Sequence, residues 1–301
     1  MHTLSSNNNL AQLELDNGQV RTPVVWLART SRFLLKYGTL LLFSMFFLLP
    51  WVWMLSTSLK NPQELVVYPP IWIPDPVRWD NYFLAFKEGS LGGFFINTIL
   101  VTVPSVIGAV ISNALAAYGF ARIQWPGRDY VFAVVLATLI LPDFVTFIPL
   151  YLVFRNLGWI NTYLPLIIPT FLGSPFFIFL LRQFYMGLPE ELSDAARVDG
   201  ASEFRIFTQI VLPLAVPALA VVALFQFIGS WNDYFGPLIY LNDTAKYTIS
   251  LGIANMQNSY GFMNFAWIMA ATCLSVLPII VLFFFAQRTF IEGIALTGLK
   301  G

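Results

Sequence analysis

Six stretches of this chain carry no lysine, arginine or glutamate, and a single aspartate among them: 37–59, 89–121, 130–154 (which holds Asp143), 156–181, 206–232 and 247–287. A bilayer core about 30 Å thick takes roughly 20 consecutive apolar helical residues to cross, because backbone N–H and C=O groups find no water there. Each stretch can hold one such helix. Hydrophobic residues make up 57% of the 301 and charged ones 11%, against roughly 25% charged in an average soluble domain. An ordinary water-soluble enzyme is thereby excluded.

Trimmed at polar residues, glycines and prolines, the stretches predict helices near 35–57, 94–120, 130–153, 162–183, 209–232 and 266–288, an all-α membrane protein with six transmembrane helices. Asn255, Gln257, Asn258, Ser259 and Gly261 fill the start of the last stretch, so 242–265 reads as an external loop. Residues 1–19 are polar and lack a basic start followed by a short apolar segment, so no secretory signal is expected and the first span is retained.

Arg21, Arg29, Arg32, Lys36, Arg122, Arg128, Arg182, Arg197, Arg205, Arg288 and Lys300 fall on one face of a six-span arrangement, and only Lys60, Arg78, Lys87, Arg155 and Lys246 on the other. The positive-inside bias then places both termini in the cytoplasm. Trp51, Trp53, Trp72, Trp159 and Trp231 gather near the predicted outer ends, where amphipathic rings favour the interface.

Between the fourth and fifth spans, Gly187–Pro213 holds five of the sixteen acids. Pro189 suits a helix's first turn, Glu190 and Glu191 sit where its dipole favours negative charge, Asp199-Gly200 supplies a stop, and Ser202 can cap a second helix. Leu192, Ala195, Ala196 and Asp199 recur at helical spacing, a narrow face of mostly small side chains that another protein could approach closely. On residues alone, a solvated connector lying on the membrane is an equal reading.

The chain offers little to chemistry of its own. It contains no phosphate-binding Gly-x-x-x-x-Gly-Lys-Ser/Thr, and His2 is its one histidine, so no metal site and no catalytic residues are expected. Cys273 stands alone in an apolar run and reads as a packed hydrophobe. Sixteen basic residues balance sixteen acidic ones without a dense basic run, which argues for no nucleic-acid partner.

The segment Asp194-Ala195-Ala196, Gly200-Ala201, Leu212-Pro213 resembles the cytoplasmic loop of the permease subunits of ATP-binding-cassette (ABC) importers, whose pattern is Glu-Ala-Ala, then Gly, then a hydrophobic residue and Pro. Asp194 replaces the family's Glu, keeping the charge with a shorter reach. The resemblance runs over nearly the whole chain after about residue 30 and is nearest to the second permease subunit of maltose-type systems. It is carried also by Asn97-Thr98, Ala116–Arg122 with Pro126-Gly127, Ile148–Tyr151, Asn161-Thr162, Trp231-Asn232-Asp233, Gln287-Arg288 and Gly298–Gly301.

That resemblance implies the type I ABC importer permease fold. It implies a cytoplasmic extension over 1–33, a first span with external loop over 34–93, a five-helix core over 94–289 with a coupling loop near 184–208, and a tail over 290–301. Glu191, Asp194, Ala195, Ala196, Asp199, Gly200, Ala201 and Pro213 would carry coupling to a separate ATPase, and Gly298, Lys300 and Gly301 would touch it too. The implied partners are two ATPase subunits holding ATP and magnesium, a homologous second permease, an extracellular solute-binding protein and membrane lipid. No cofactor is implied for this chain.

Polar groups at membrane depth are the internal candidates for lining a solute path. Asp143 either faces that path or a partner, or is a structural carboxylate bonded to a neighbouring helix. Trp231, Asn232 and Asp233 suit a sugar by stacking and hydroxyl recognition, though Trp at an interface and Asn at a helix end are also ordinary. The loop 242–265 is either a contact for the binding protein or a solvated connection. The runner-up function, a self-sufficient secondary transporter or channel, needs paired intramembrane charges or doubled broken helices that the sequence does not display.

Overall fold

A computed structural model describes residues 23–260 and 264–298, with side chains over 33–142, 144–258 and 264–287; every regular element among them is helical. In chain order these are α1 (Pro23–Ser58), α2 (Asp80–Lys87), α3 (Leu91–Ala121), α4 (Arg128–Ala137), α5 (Asp143–Asn156), α6 (Leu164–Ile167), α7 (Pro175–Met186), α8 (Glu191–Val198), α9 (Glu203–Ile206), α10 (Leu212–Leu214), α11 (Val216–Asn232), α12 (Phe235–Tyr240), α13 (Ile249–Tyr260) and α14 (Phe265–Gly298). Of the predicted extension and tail, residues 1–22 and 299–301, Lys300 and Gly301 among them, lie outside the described residues.

The chain divides into two compact units, Met1–Trp53 and Met54–Gly301. In the first, α1 places Phe33 and Tyr37 one turn apart with ring centroids 4.2 Å from each other. In the second, α3 is the central rod, packed against α2, α7, α11 and α13. Its buried face is built of small residues, Gly108, Ala109, Ala114 and Ala117, which lets neighbouring backbone come close. A methyl group on Gly108 would collide with the Phe171 ring.

Two apolar clusters flank α3. One gathers Tyr118, Phe177, Leu181, Tyr185, Ile206, Phe207 and Val222. The other gathers Leu91, Phe94, Trp231, Met256, Ile268 and Ala271.

Among the described residues, four helical stretches are long and apolar enough to cross a bilayer: Phe33–Ser58, Leu91–Ala121, Leu164–Met186 and Phe265–Gln287. The other two predicted spans are bent pairs. The stretch predicted as one helix over 130–153 breaks at Leu141-Pro142, where both residues are extended; proline cannot donate into the ladder and pushes its predecessor out of the helical region. Glu203–Leu214, which leaves the loop and enters the predicted fifth span at 209, meets α11 at a bend of 78°. Pro213 and Pro217 bracket that elbow, and a π turn over Phe207–Val211 precedes it, the local widening expected where regular hydrogen bonding is interrupted.

The fourth span is also irregular. A 3-10 turn at Ile168–Leu172 follows α6, and the chain is non-helical at Gly173-Ser174 before α7 starts. Three polar side chains of α3 repair the broken ladder: Ser105 donates to the Leu166 carbonyl (3.3 Å), Ser112 to that of Thr170 (3.1 Å), and Asn113 Oδ1 accepts from the Ser174 N–H (2.7 Å). Irregular backbone at membrane depth persists only where such partners exist.

The predicted external loop 242–265 is corrected: Ile249–Tyr260 is a helix, α13. Ile249, Ile253 and Met256 pack into the second cluster, a short apolar stripe hidden in sequence by the asparagines beside it. Its start is pinned to α3, the Ile249 N–H donating to Thr98 Oγ1 (2.7 Å) and Asn97 Nδ2 to the carbonyls of Ala245 (2.8 Å) and Tyr247 (3.0 Å).

Candidate functional site: the loop between the fourth and fifth spans

The loop is a rigid helical hairpin. Helix α8 opens with Glu191 and Asp194 in its first turn, where negative charge complements the dipole. It ends in a Schellman arrangement: the Gly200 N–H donates to the Arg197 carbonyl (3.0 Å) and the Ala201 N–H to that of Ala196 (2.9 Å), with Gly200 at φ +80°. A Cβ on Gly200 would meet no described atom within 4 Å, so glycine is required here by the backbone angle alone. Ser202 then caps α9, its hydroxyl accepting from the Arg205 N–H (3.4 Å).

Charge locks the two limbs together. Arg197 Nη1 donates to Asp194 Oδ1 and Arg197 Nε to Glu203 Oε1, both at 2.7 Å. Glu203, ahead of the elbow, also accepts the Tyr118 hydroxyl on Oε2 at 2.7 Å. The Arg197 hydrogen bonds hold the Glu203 carboxyl below its usual range despite partial burial, and the same bonds hold Arg197 protonated still more firmly.

One turn beyond Tyr118, Arg122 is buried, and its Nη2 donates to the carbonyls of Tyr185 and Leu188, both at 2.6 Å. Tyr185 is in the last turn of α7 and its carbonyl also accepts the Leu188 N–H (3.2 Å), so Arg122 adds a charged donor where the helix ends, a site that favours a cation. Arg182 of α7 answers in the opposite direction, donating through Nε to the Phe120 carbonyl in the last turn of α3 (3.2 Å), with its guanidinium 4.2 Å from the Phe132 ring centre.

Of the predicted coupling residues, Glu191, Asp194, Ala195, Asp199 and Gly200 are exposed, whereas Ala196 and Ala201 pack against the first cluster. Pro213 lies in the elbow rather than on the hairpin. The outward face of α8 therefore runs Leu192, Ala195, Val198 and Asp199, with Val198 the most exposed of its apolar residues at 88%. Sequence reasoning missed Val198, although it follows Ala195 at i+3. It also missed Tyr118, Arg122 and the Arg197–Glu203 pair, which no local periodicity connects.

The candidate path residues separate. Trp231 is buried in the second cluster, its Nε1 donating to the Ser275 carbonyl (2.9 Å) and its ring stacked on Phe227. Asn232 is exposed and returns its amide to the Ile228 carbonyl (2.9 Å). Asp233 Oδ1 accepts the Gly236 N–H (3.1 Å) and so turns the chain into α12. Asp143 begins α5, and its side chain lies outside the described residues.

Residues 109–295 match the family of binding-protein-dependent transport system inner membrane components. The chain belongs to this family. It is 33% identical over 257 residues to the diacetylchitobiose uptake system permease protein NgcG of Streptomyces coelicolor, covering 84% of each chain. It is 32% identical over 264 residues to the arabinooligosaccharides transport system permease protein AraQ of Bacillus subtilis, covering 87% of this chain and 93% of that one. Its fold is shared with a chain of a crystallised bacterial ABC transporter involved in the import of the acidic polysaccharide alginate, at TM-score 0.75 and 23% identity over 86% of this chain and 97% of that one. The family member described here is thus a multi-pass permease subunit of an ABC importer and a transport component rather than an enzyme.

Proposed function

We propose that this permease imports a sugar, an oligosaccharide or a sugar-derived solute, forming the path with a homologous second permease in a prokaryotic inner membrane. Relatives named for diacetylchitobiose and arabinooligosaccharide uptake support the solute class. In this reading the chain crosses the bilayer six times with both termini cytoplasmic, counting each bent pair as one span. Two ATPase subunits holding ATP and magnesium supply the energy, and an extracellular binding protein delivers the solute.

The observation that carries the reading is the outward face of α8, Leu192, Ala195, Val198 and Asp199, held by a Schellman turn and the Arg197–Glu203 pair. A rigid helix with small and apolar side chains outward is a docking element for a cleft. The ATPases close on ATP, and the hairpin passes that movement to α7 and to the elbow before α11. Asn232 and Asp233 remain the path candidates at the outer end of α11, with Asp143 at the break in the third span; Trp231 supports them from the core. Gly298, Lys300 and Gly301 are proposed as a secondary contact with the ATPases.

The test is co-expression with the neighbouring ATPase and permease subunits, followed by cross-linking from single cysteines placed at Ala195 or Val198 in a Cys273→Ala background. Cross-links to the ATPase from these two positions, and none from a cysteine at the buried Ser193, are expected. An intact complex that gives no ATPase cross-link from either position would refute the docking assignment. Purification of the chain alone or as a homo-oligomer would revive the self-sufficient transporter.

A further inference from the structure

The last turn of α3 grips both limbs of the hairpin. Tyr118 and Arg122, four residues apart on one helix face, reach in two directions: Tyr118 to Glu203 on the outgoing limb, and Arg122 to the Tyr185 and Leu188 carbonyls where the ingoing limb departs. Residues so spaced lie on the same side of a helix, so a displacement of either limb pulls on one rigid point. The Tyr118 and Arg122 side chains are buried while the Glu203 carboxylate is half-exposed, and Arg122 Nε and the Tyr185 hydroxyl have no hydrogen-bond partner among the described residues. In such a setting the bonds that do form are held strongly and are costly to lose.

We infer that Tyr118 and Arg122 are positioning residues that make α3 a third output of the coupling loop, beside the spans at its two ends. This rests on the reading of α8 as the ATPase-docking helix. At 1.5 Å per residue, α3 carries a tilt from Tyr118 to Asn97 over roughly 30 Å. At that far end Asn97 and Thr98 hold the backbone at Ala245, Tyr247 and Ile249, so the start of α13 moves with it. The connection is one helix with polar attachments at both ends, and all of its residues belong to one compact unit.

The experiment uses the complete importer, with both permeases, the ATPases and the binding protein, in proteoliposomes. It reads solute taken up per ATP hydrolysed, together with the α8 cross-link to the ATPase. Tyr118→Phe removes one oxygen from the contact, and Arg122→Gln removes the double carbonyl grip. With the cross-link retained, uptake per ATP is expected to fall by about tenfold for each, the equilibrium worth of one charge-assisted hydrogen bond, and Arg122→Lys is expected to restore part of it.

An unchanged ratio in Tyr118→Phe, in a complex that cross-links as the parent does, would overturn the inference. Should Arg122→Gln fail to assemble, Tyr118→Phe decides the question by itself. Loss of the cross-link in the parent complex would instead overturn the docking reading on which the inference stands, and the inference with it.

Discussion

Arg122 and Arg182 each donate into the end of the other's helix: Arg122, just past α3, to the carbonyls where α7 ends, and Arg182 of α7 to the Phe120 carbonyl of α3. Each guanidinium therefore sits at the C-terminal dipole of the other's helix. A guanidinium satisfies two at once and supplies the favoured charge.

The exchange predicts unequal costs. Arg122 is buried and Arg182 has an additional aromatic neighbour. Replacing Arg122 by Met should lower the stability of the detergent-solubilised protein by about 2 kcal/mol, because the Leu188 and Tyr185 carbonyls both lose a charged donor. Arg182→Met should cost about half as much, since its chain can still cover Phe132. Thermal unfolding followed by intrinsic fluorescence would check the order, and an equal or reversed pair would contradict it.

Gly200 makes a sharper case, because space and backbone angle can be told apart there. No described atom of this chain crowds its missing Cβ, yet its φ is +80°. A left-handed L-residue costs roughly 1–2 kcal/mol, with Asn the best tolerated. Gly200→Asn should therefore retain more uptake than Gly200→Val at equal expression. If both lose uptake fully while the isolated chain keeps its stability, the partner approaches the turn too closely for any side chain.

The membrane helices were legible in the sequence because lipid leaves few options: charge-free stretches had to be helical, and all six places where one was expected are helical. Their breaks were harder to see. Pro142 interrupts the third span, but Pro104 lies within α3 and leaves it one continuous helix, so proline alone does not mark a break. The fourth span's interruption depends on Ser105, Ser112 and Asn113, which belong to a helix some 60 residues away and carry no local mark of that task. The loop was legible through its turn chemistry, from Gly200 to Ser202. Its attachments were not, since Glu203 finds Tyr118 across 85 residues.

The contact between the second and fourth spans, α3 and the start of α7, yields a prediction of its own. Asn113 donates to the Ala109 carbonyl and accepts from the Ser174 N–H. Asn113→Leu keeps the branching at a larger volume and leaves that N–H unpaired in an apolar surround, a loss of about 1–3 kcal/mol from the hydrogen bond alone. Asn113→Asp keeps the acceptor and should be milder at low pH than at high pH, when a buried charge forms. Equal stability of Asn113→Leu and the parent would show that water replaces the amide.

Acid should loosen the hairpin in a defined order. Arg197 holds the Glu203 carboxyl below the ordinary glutamate value of about 4.3. A lowered folded-state value means the pair's contribution is complete above the unfolded value and disappears as pH falls through the folded one. Hydrogen exchange over 190–206 should thus be slower in the parent than in Glu203→Gln at neutral pH, and the difference should close only below about pH 4. A difference that closes between about pH 5 and 7 would point to some other titrating group.

Val198 separates the docking surface from the machinery that holds it. Its side chain is 88% exposed and makes no contribution to the apolar clusters, so Val198→Asp should leave the stability of the isolated subunit within about 0.5 kcal/mol of the parent. In the cleft of an ATPase the same change would bury a carboxylate without a partner, a penalty of several kcal/mol and enough to prevent assembly at micromolar subunit concentrations. Ala196→Asp should behave in the opposite way, damaging the subunit itself, because Ala196 packs against the first cluster. Size-exclusion profiles of the two variants, each with and without the ATPases, would show a stable orphan subunit for the first and a poorly folded one for the second. A Val198→Asp complex that assembles normally would place the contact elsewhere on the hairpin, on the Glu191 side of α8 or at the exposed Phe204.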